Sequence, residues 1–192
     1  QKFALQCLFS LGFIYLYSMY FSGLDWWHYP FYMFIIVGAS NATNLTDGLD
    51  GLLAGCSLLT LFGFYYVMVE SYQVDISRFI VILIIIIMSF LFYNWNPAKL
   101  FMGDTGSLAL GAVFAGLALL YADVWILLPL GAIYIIETLS VIIQVAYFKQ
   151  TKKRIFLMSP LHHHFELLGF KELHVVLIFY GIAFLFSLPI YL

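Results

Sequence analysis

The stretch RFIVILIIIIMSFLFY, residues 78–93, contains no charged side chain after its first residue. A bilayer core about 30 Å thick is crossed by about 20 apolar helical residues, and this run approaches that length. Its apolar residues are continuous and do not alternate with polar ones, which excludes a strand of a membrane β-barrel. The stretch therefore predicts a transmembrane α-helix.

The composition of the whole chain agrees with this prediction. Of its 192 residues, 64% are hydrophobic and 9% are charged, whereas soluble domains carry about 25% charged residues. The net charge of −2 argues against a nucleic-acid partner, which usually requires a clustered basic excess. Cys7 and Cys56 lie inside apolar runs and lack the spacing of a disulfide framework or a zinc site. We expect one all-α, polytopic transmembrane domain over residues 1–192.

Apolar runs separated by charged breaks predict about seven spans in this helical bundle. The sixth of them contains Pro129 and Gly131, where we expect a bend. The predicted spans cover residues 3–22, 30–43, 51–69, 78–93, 106–121, 124–148 and 174–192.

The distribution of charge predicts how the bundle is oriented. Seven alternating spans place every Lys and Arg on one side except Arg78, and by the positive-inside rule that side is cytoplasmic. Three polar segments, residues 41–50, 94–107 and 149–173, lie on the same predicted side. Polar loops that carry an active site are therefore expected to face the cytoplasm.

The first polar motif is NATNLTDGLDG, residues 41–51. It contains two formal glycosylation sequons, but their predicted cytoplasmic location disfavours that use. One interpretation is a helix end followed by a turn and a new helix start. If the segment stays helical, Asp47 and Asp50 share one face at i, i+3 spacing. Two carboxylates this close to the hydrocarbon boundary are costly, which favours a functional role.

The second motif is NWNPAKLFMGDTGS, residues 94–107. Pro97 is expected to end the preceding span, and Thr105 or Ser107 to cap the next helix. An ordinary capping loop would explain part of this pattern. Asp104 between glycines at a helix start also suits a phosphate or Mg²⁺ site, because backbone N–H groups and a hard carboxylate oxygen meet there.

The third motif is KKRIFLMSPLHHHFELLGF, residues 152–170. Successive helical residues diverge by about 100°, so the three His side chains cannot all bind one metal ion. The basic run fits a juxtamembrane anchor to anionic lipid. With the His residues it also fits a loop that meets phosphates and moves protons. Glu137, a carboxylate inside a predicted span, either pairs within the bundle or lines a path for a lipid head group.

These three motifs, in this order and separated by spans, resemble the signature segments of the phospho-N-acetylmuramoyl-pentapeptide transferase (MraY) family. That family belongs to the polyprenyl-phosphate phosphoglycosyltransferases. The HHHFE segment is similar to this family, and differs from relatives that transfer N-acetylglucosamine phosphate. The resemblance covers essentially all 192 residues, as the last seven of the family's ten spans.

The resemblance implies an activity and a location. Phospho-MurNAc-pentapeptide would pass from UDP-MurNAc-pentapeptide to undecaprenyl phosphate, forming lipid I and UMP in peptidoglycan synthesis. The cofactor would be Mg²⁺, and the site would lie at the bacterial cytoplasmic membrane. Mg²⁺ would neutralise the diphosphate while positioned donors stabilise charge on the transferred phosphorus.

The resemblance also implies roles for individual residues. Asp104 resembles the family's Mg²⁺-binding aspartate. Both Asp104 and Asp47 resemble catalytic residues. Asp50 and Phe101 resemble residues of the uracil pocket, with the Phe101 ring stacked on the base. The other residues implied are His162, His163 and His164 as an essential cluster near the diphosphate, and Asn41, Asn44 and Asn94 as substrate-binding residues.

The chain departs from the family pattern in one respect. The family carries an Asp-Asp pair followed by a Lys upstream of these motifs, and this chain contains no Asp-Asp dipeptide. We interpret the chain as part of a longer, roughly ten-span protein, with a degenerate relative as the alternative. We therefore expect these 192 residues alone not to catalyse the transfer. Association as a homodimer is left open.

The sequence leaves two rival functions open. A transporter with broken helices would place Asn, Asp and Gly at the breaks. It would also predict repeated halves, and residues 1–95 and 96–192 show no convincing similarity to each other. The second rival is a related transferase that uses UDP-N-acetylglucosamine.

Overall fold

The computed structural model describes residues 2–21, 24–121 and 123–192, and this part of the chain is helical without a strand. Short 3-10 turns precede α6 and follow α9. The α-helices are α1 (Lys2–Tyr20), α2 (His28–Thr46), α3 (Leu52–Glu70), α4 (Val74–Asn94), α5 (Gly103–Leu120), α6 (Leu127–Leu130), α7 (Ala132–Thr151), α8 (Leu161–Leu167) and α9 (Glu172–Ser187).

The prediction of an all-α membrane bundle is confirmed. Within the described ranges, six helices are long and apolar enough to cross a membrane, namely α1, α3, α4, α5, α7 and α9 with its extension to Ile190. Helix α2 occupies the second predicted span and is also 19 residues long, but its second half is rich in Ser, Thr and Asn. The six helices together with α2 agree with the expected count of about seven spans.

The bend predicted in the sixth span lies at Gly131. This residue separates α6 from α7, and its N–H still donates to the carbonyl oxygen of Leu127 at 2.8 Å. A Cβ at Gly131 would lie 2.6 Å from that same carbonyl oxygen, so a larger residue would have to shift the chain. Pro129, which has no backbone N–H, further weakens the helix just before the break.

Helix α3 lies at the centre of the bundle. Twelve of its 19 residues are buried, and it packs along α4 and α9. Its largest fully buried side chain, Phe64, stacks on Phe114 of α5 at a ring-centroid distance of 6.5 Å. A helix that is apolar on all sides suits this central position. The outer faces of α1 and α4 expose large apolar side chains, as expected of surfaces that meet lipid.

Helices α2 and α5 run antiparallel and in close contact along their lengths. Gly111 makes this approach possible, because a Cβ there would overlap the Ala39 carbonyl oxygen and Thr43 Oγ1. Thr43 Oγ1 also donates to the carbonyl oxygen of Ser107 at 2.7 Å. The packing therefore places the end of α2 against the start of α5.

Of the two interpretations of residues 41–51, the structure supports the helix end followed by a turn. Helix α2 ends at Thr46 and residues 47–51 form a turn, so Asp47 and Asp50 do not share a helix face. The cap expected for the next helix is wrong, because α5 begins at Gly103 and has no side-chain cap. Ser107 lies in its second turn and donates back to the Gly103 carbonyl oxygen at 2.9 Å. The glycine at position 103 adopts a left-handed φ of 64°, which moves the helix start upstream.

Candidate active site

Three helix ends meet at one end of the bundle: the start of α1, the end of α2 and the start of α5. Asn44 Nδ2 donates to Asp104 Oδ1 and to Ser107 Oγ, both at 2.9 Å. Lys2 Nζ lies 2.9 Å from Asp104 Oδ2 and 3.3 Å from Asn44 Oδ1. The structure thus brings two predicted site residues, 60 positions apart in sequence, into direct contact beside a cation.

Lys2 is a residue that the sequence motifs did not identify. Its side chain is 46% exposed and that of Asp104 is 67% exposed, so water screens the ion pair and the pair contributes little to folding. The only indication in the sequence that Lys2 belongs to the site was its positive charge on the same predicted side of the membrane as the polar motifs. Its position beside Asp104 is therefore of interest for binding anions more than for stability.

Asp47 follows the last residue of α2 and is half-buried. Burial raises the pKa of the Asp47 carboxyl above its ordinary range, and the negative charge of Asp104 raises it further. The backbone N–H of Gly103 partly offsets this rise. The two carboxylates are thus close enough to repel each other, and a cation between them would relieve that repulsion.

The raised pKa of Asp47 gives a prediction for stability. We expect Asp47→Asn to increase the free energy of unfolding at neutral pH. In the parent protein, ionising this partly buried carboxyl group costs free energy in the folded state, and the neutral asparagine removes that cost. In the parent protein, the free energy of unfolding falls as pH rises from the ordinary pKa of Asp through the raised one. Denaturant titrations of both proteins at about pH 3 and about pH 7 measure this. A difference between them that does not grow with pH would contradict the prediction.

Asn41 lies on the same helix as Asn44 but contacts different partners. Its Nδ2 donates to the Val37 carbonyl oxygen at 2.7 Å and to Gln6 Oε1 at 3.2 Å. The contact with Gln6 joins α2 to the first turns of α1. The structure therefore places Asn41 in the α1–α2 contact, with no direct hydrogen bond to Asp104.

Asp50 holds the segment that connects α4 to α5. Its Oδ2 accepts the Ala98 N–H at 2.8 Å and the Asn96 side-chain amide at 3.2 Å. Glu172, in the first turn of α9, accepts the Asp50 N–H at 2.7 Å and the same Asn96 amide at 3.0 Å. Glu172 and Asn96 were missed from the sequence, because nothing local indicates that α9 begins beside this segment.

Asn94 is buried and uses both ends of its side chain within the protein. Oδ1 accepts the Gly51 N–H at 3.0 Å, and Nδ2 donates to the Leu100 carbonyl oxygen at 2.8 Å. Phe101 follows Leu100 in sequence, and its side chain is 71% exposed. Asp50 and Asn94 thus fix the backbone that presents the Phe101 ring to solvent.

After α7 the chain turns back and runs along that helix. Lys152, with a left-handed φ of 57°, ends α7. Gln144 Oε1 then accepts the N–H groups of Ile155 and Phe156 at 3.0 and 3.1 Å. Further along, the two carboxylate oxygens of Glu137 accept the N–H groups of Leu161 and His162 at 2.8 and 3.2 Å.

The His run is a short helix, α8, and the expectation of a loop is wrong. As the 100° divergence predicted, the three rings have different surroundings. His162 is buried between Glu137 and Gly48. His163 Nδ1 lies 2.7 Å from Glu166 Oε2. His164 Nδ1 accepts the Leu157 N–H at 3.2 Å. Of the two alternatives for Glu137, the structure supports pairing within the bundle. The His helix contacts the 47–51 turn through His162 and Gly48.

The acidic residues fit a Mg²⁺ ion held partly by protein. In the described part of the chain, no three His, Cys, Asp or Glu side chains form a cluster that could enclose a metal ion. Mg²⁺ usually keeps several waters and binds through one or two carboxylates and substrate phosphates. Exposed Asp104, with Asp47 nearby, supplies that kind of partial ligand set.

Comparisons with known proteins agree with these motifs. The sequence model described as glycosyl transferase family 4 matches residues 1–122. A phospho-N-acetylmuramoyl-pentapeptide-transferase of Geobacillus thermodenitrificans is 45% identical over 202 aligned residues, which cover 98% of this chain and 62% of that protein. Proteins of the same name from Listeria welshimeri and Bacillus thuringiensis are 51% and 46% identical, over 83% and 85% of this chain. The chain spans about half of the length of these two relatives, 50% and 51%.

Proposed function

The chain belongs to glycosyl transferase family 4, and from that premise we propose that it carries an active site for the transfer of phospho-MurNAc-pentapeptide from UDP-MurNAc-pentapeptide to undecaprenyl phosphate. The products are lipid I and UMP. The observation that supports this most directly is the direct contact of Asn44 and Lys2 with Asp104. Asp47, at the start of the 47–51 turn, lies near Asp104, and α8 packs against this turn at Gly48. The names of the similar proteins favour this sugar nucleotide over UDP-N-acetylglucosamine.

The proposed chemistry assigns the charged groups to the phosphates. Mg²⁺, when bound at Asp104 with Asp47 nearby, supplies positive charge that neutralises the diphosphate. Lys2, which lies 2.9 Å from Asp104 Oδ2, adds a second positive charge beside the phosphates. Little covalent chemistry is required of the protein in phosphoryl transfer, so positioning and electrostatic stabilisation provide most of the catalysis. His163 and His164 are the two imidazoles of α8 that are only partly buried.

The proposed location follows from the same end of the bundle. The site lies where the predicted cytoplasmic polar segments come together, so the sugar nucleotide reaches it from the cytoplasm. Undecaprenyl phosphate reaches it from the bilayer around the helices. Both substrates then meet at the membrane boundary of the bacterial inner membrane.

The proposed function is tested with purified full-length protein and undecaprenyl phosphate. UMP release is measured with UDP-MurNAc-pentapeptide and, in parallel, with UDP-N-acetylglucosamine. We expect turnover with the first substrate only, and loss of turnover when Mg²⁺ is chelated. Turnover with UDP-N-acetylglucosamine alone would replace this function by the related transferase, and turnover with neither would remove it.

Phe101 gives a prediction for nucleotide binding. We expect Phe101→Ala to weaken the binding of the UDP-linked substrate by about 1–3 kcal/mol, the range of base stacking on an exposed aromatic ring. Phe92→Ala is the matched control, because this ring is also largely exposed but lies on the outer face of α4. Isothermal titration of both variants measures the effect. Equal affinities for the two variants would remove Phe101 from the nucleotide site.

A further inference from the structure

Glu137 is a fully buried carboxylate within a membrane-spanning helix. Burying a charge is costly unless hydrogen bonds or an opposite charge compensate it. Its two oxygens accept the N–H groups of Leu161 and His162, at 2.8 and 3.2 Å. No Lys or Arg side chain contacts it among the described ion pairs. The carboxylate is thus satisfied by the first residues of α8.

The position of Glu137 along α7 decides where α8 lies. Glu137 precedes the end of α7 at Thr151 by fourteen residues, which is about 20 Å along the helix axis. The chain after Thr151 returns over this distance, with Gln144 binding its backbone at Ile155 and Phe156 on the way. Gln144 and Glu137 are two helical turns apart and lie on the same face of α7. Together they anchor the returning segment at two points.

His162 connects this anchor to the turn that carries Asp47. Its Nδ1 lies 3.3 Å from Glu137 Oε2, although the approach lacks the direction of a hydrogen bond. Its Nε2 faces Gly48 so closely that a Cβ at that position would overlap the ring. The ring, 1% exposed, is thus held between α7 and the residue after Asp47.

We propose that Glu137 is a positioning residue, which holds α8 and the His162 ring against the 47–51 turn and so sets the place of His163 and His164 relative to Asp47. The functional half of this inference rests on the proposed transfer reaction. The structural half, that Glu137 fixes the start of α8, does not depend on any activity. Glu137 acts here through backbone N–H groups and the His162 ring, and it touches no substrate.

The test is Glu137→Gln in the full-length protein in lipid nanodiscs. The glutamine keeps the size of the side chain, but its amide NH₂ faces one of the two backbone N–H groups and cannot accept a hydrogen bond from that group. We expect hydrogen–deuterium exchange at Leu161 and His162 to become about tenfold faster or more, as for the loss of a charge-assisted hydrogen bond. We expect kcat for UMP release to fall at least about tenfold, and KM for the sugar nucleotide to change by a smaller factor, because the hydrogen bonds of Asp50 and Asn94 to the Phe101 segment are left in place.

Glu70→Gln is the matched control, since it makes the same substitution at an exposed carboxylate at the end of α3. It should leave exchange in α8 and turnover as in the parent protein.

Unchanged exchange at residues 161–162 in Glu137→Gln overturns the proposal. Faster exchange throughout α3 as well overturns it in favour of a general structural role. Faster exchange confined to α8 with unchanged kcat overturns its functional half. A parent protein that releases no UMP would instead refute the transfer reaction, and the exchange result would still decide the structural half.

Discussion

Asp104→Asn in the full-length protein is expected to reduce UMP release by at least about 10²–10³-fold, the scale seen when one preorganised electrostatic group is removed from an active site. The reason is that the substitution removes the negative charge that pairs with Lys2 and that, in the proposed reaction, binds Mg²⁺. Asn44 Nδ2 and Lys2 Nζ would both lose their carboxylate acceptor. Because the Asp104 side chain is largely exposed, insertion into the membrane and folding should be unaffected.

Asp75→Asn is the matched control for this experiment. Asp75 also lies in the first turn of a membrane-spanning helix, α4, and also pairs with a basic side chain, with Arg78 Nη1 3.3 Å from its Oδ1. It should retain turnover close to that of the parent protein. Near-normal turnover in Asp104→Asn, or an equal loss in Asp75→Asn, would show that Asp104 has no special role in the reaction.

Gly111→Ala is expected to have the largest effect on stability. The new methyl group would overlap the Ala39 carbonyl oxygen and Thr43 Oγ1, so α2 and α5 must move apart. Overpacking of this kind lowers the free energy of unfolding by about 1–3 kcal/mol. The separation would also stretch the Thr43–Ser107 and Asn44–Ser107 hydrogen bonds one turn away, so UMP release should fall as well.

Gly181→Ala provides the comparison for Gly111→Ala. Gly181 lies in the middle of α9, and a Cβ there meets nothing within 4 Å. This control should change stability by less than about 1 kcal/mol, in the favourable direction expected from helix propensity. Denaturation in mixed micelles measures both variants. Similar stabilities for the two would mean that the α2–α5 contact is not as close as described.

The sequence predicted the helices well where hydrophobicity alone decides them. The run at residues 78–93 became all of α4 except its first four residues and its last, and the run at 51–69 became α3 with its bounds shifted by one residue. The break in the sixth span was also predictable, because Pro129 and Gly131 act on the backbone next to them. Errors occurred at helix ends: Gly103, not Thr105 or Ser107, begins α5, because a backbone with positive φ set the start.

The candidate site was predicted in its parts but not in its connections. Asp104 and Asn44 were identified by residue type, yet the contact between them depends on Gly111 permitting α2 and α5 to approach. Lys2 and Glu172 carried no local signal, because their importance comes only from neighbours far away in sequence. Glu137 had two interpretations from sequence, and only the return of the chain along α7 distinguished them.

The sequence by itself determined that this protein is an all-helical membrane protein with its polar motifs grouped in three segments. It could do so because hydrophobic burial and backbone preference act on residues near in sequence. Tertiary structure decided which polar groups meet, with Lys2 beside Asp104, Asp50 bound to the segment before Phe101, and Glu137 at the start of α8. These contacts depend on helix packing across 24 to 102 residues of sequence, which no local pattern encodes.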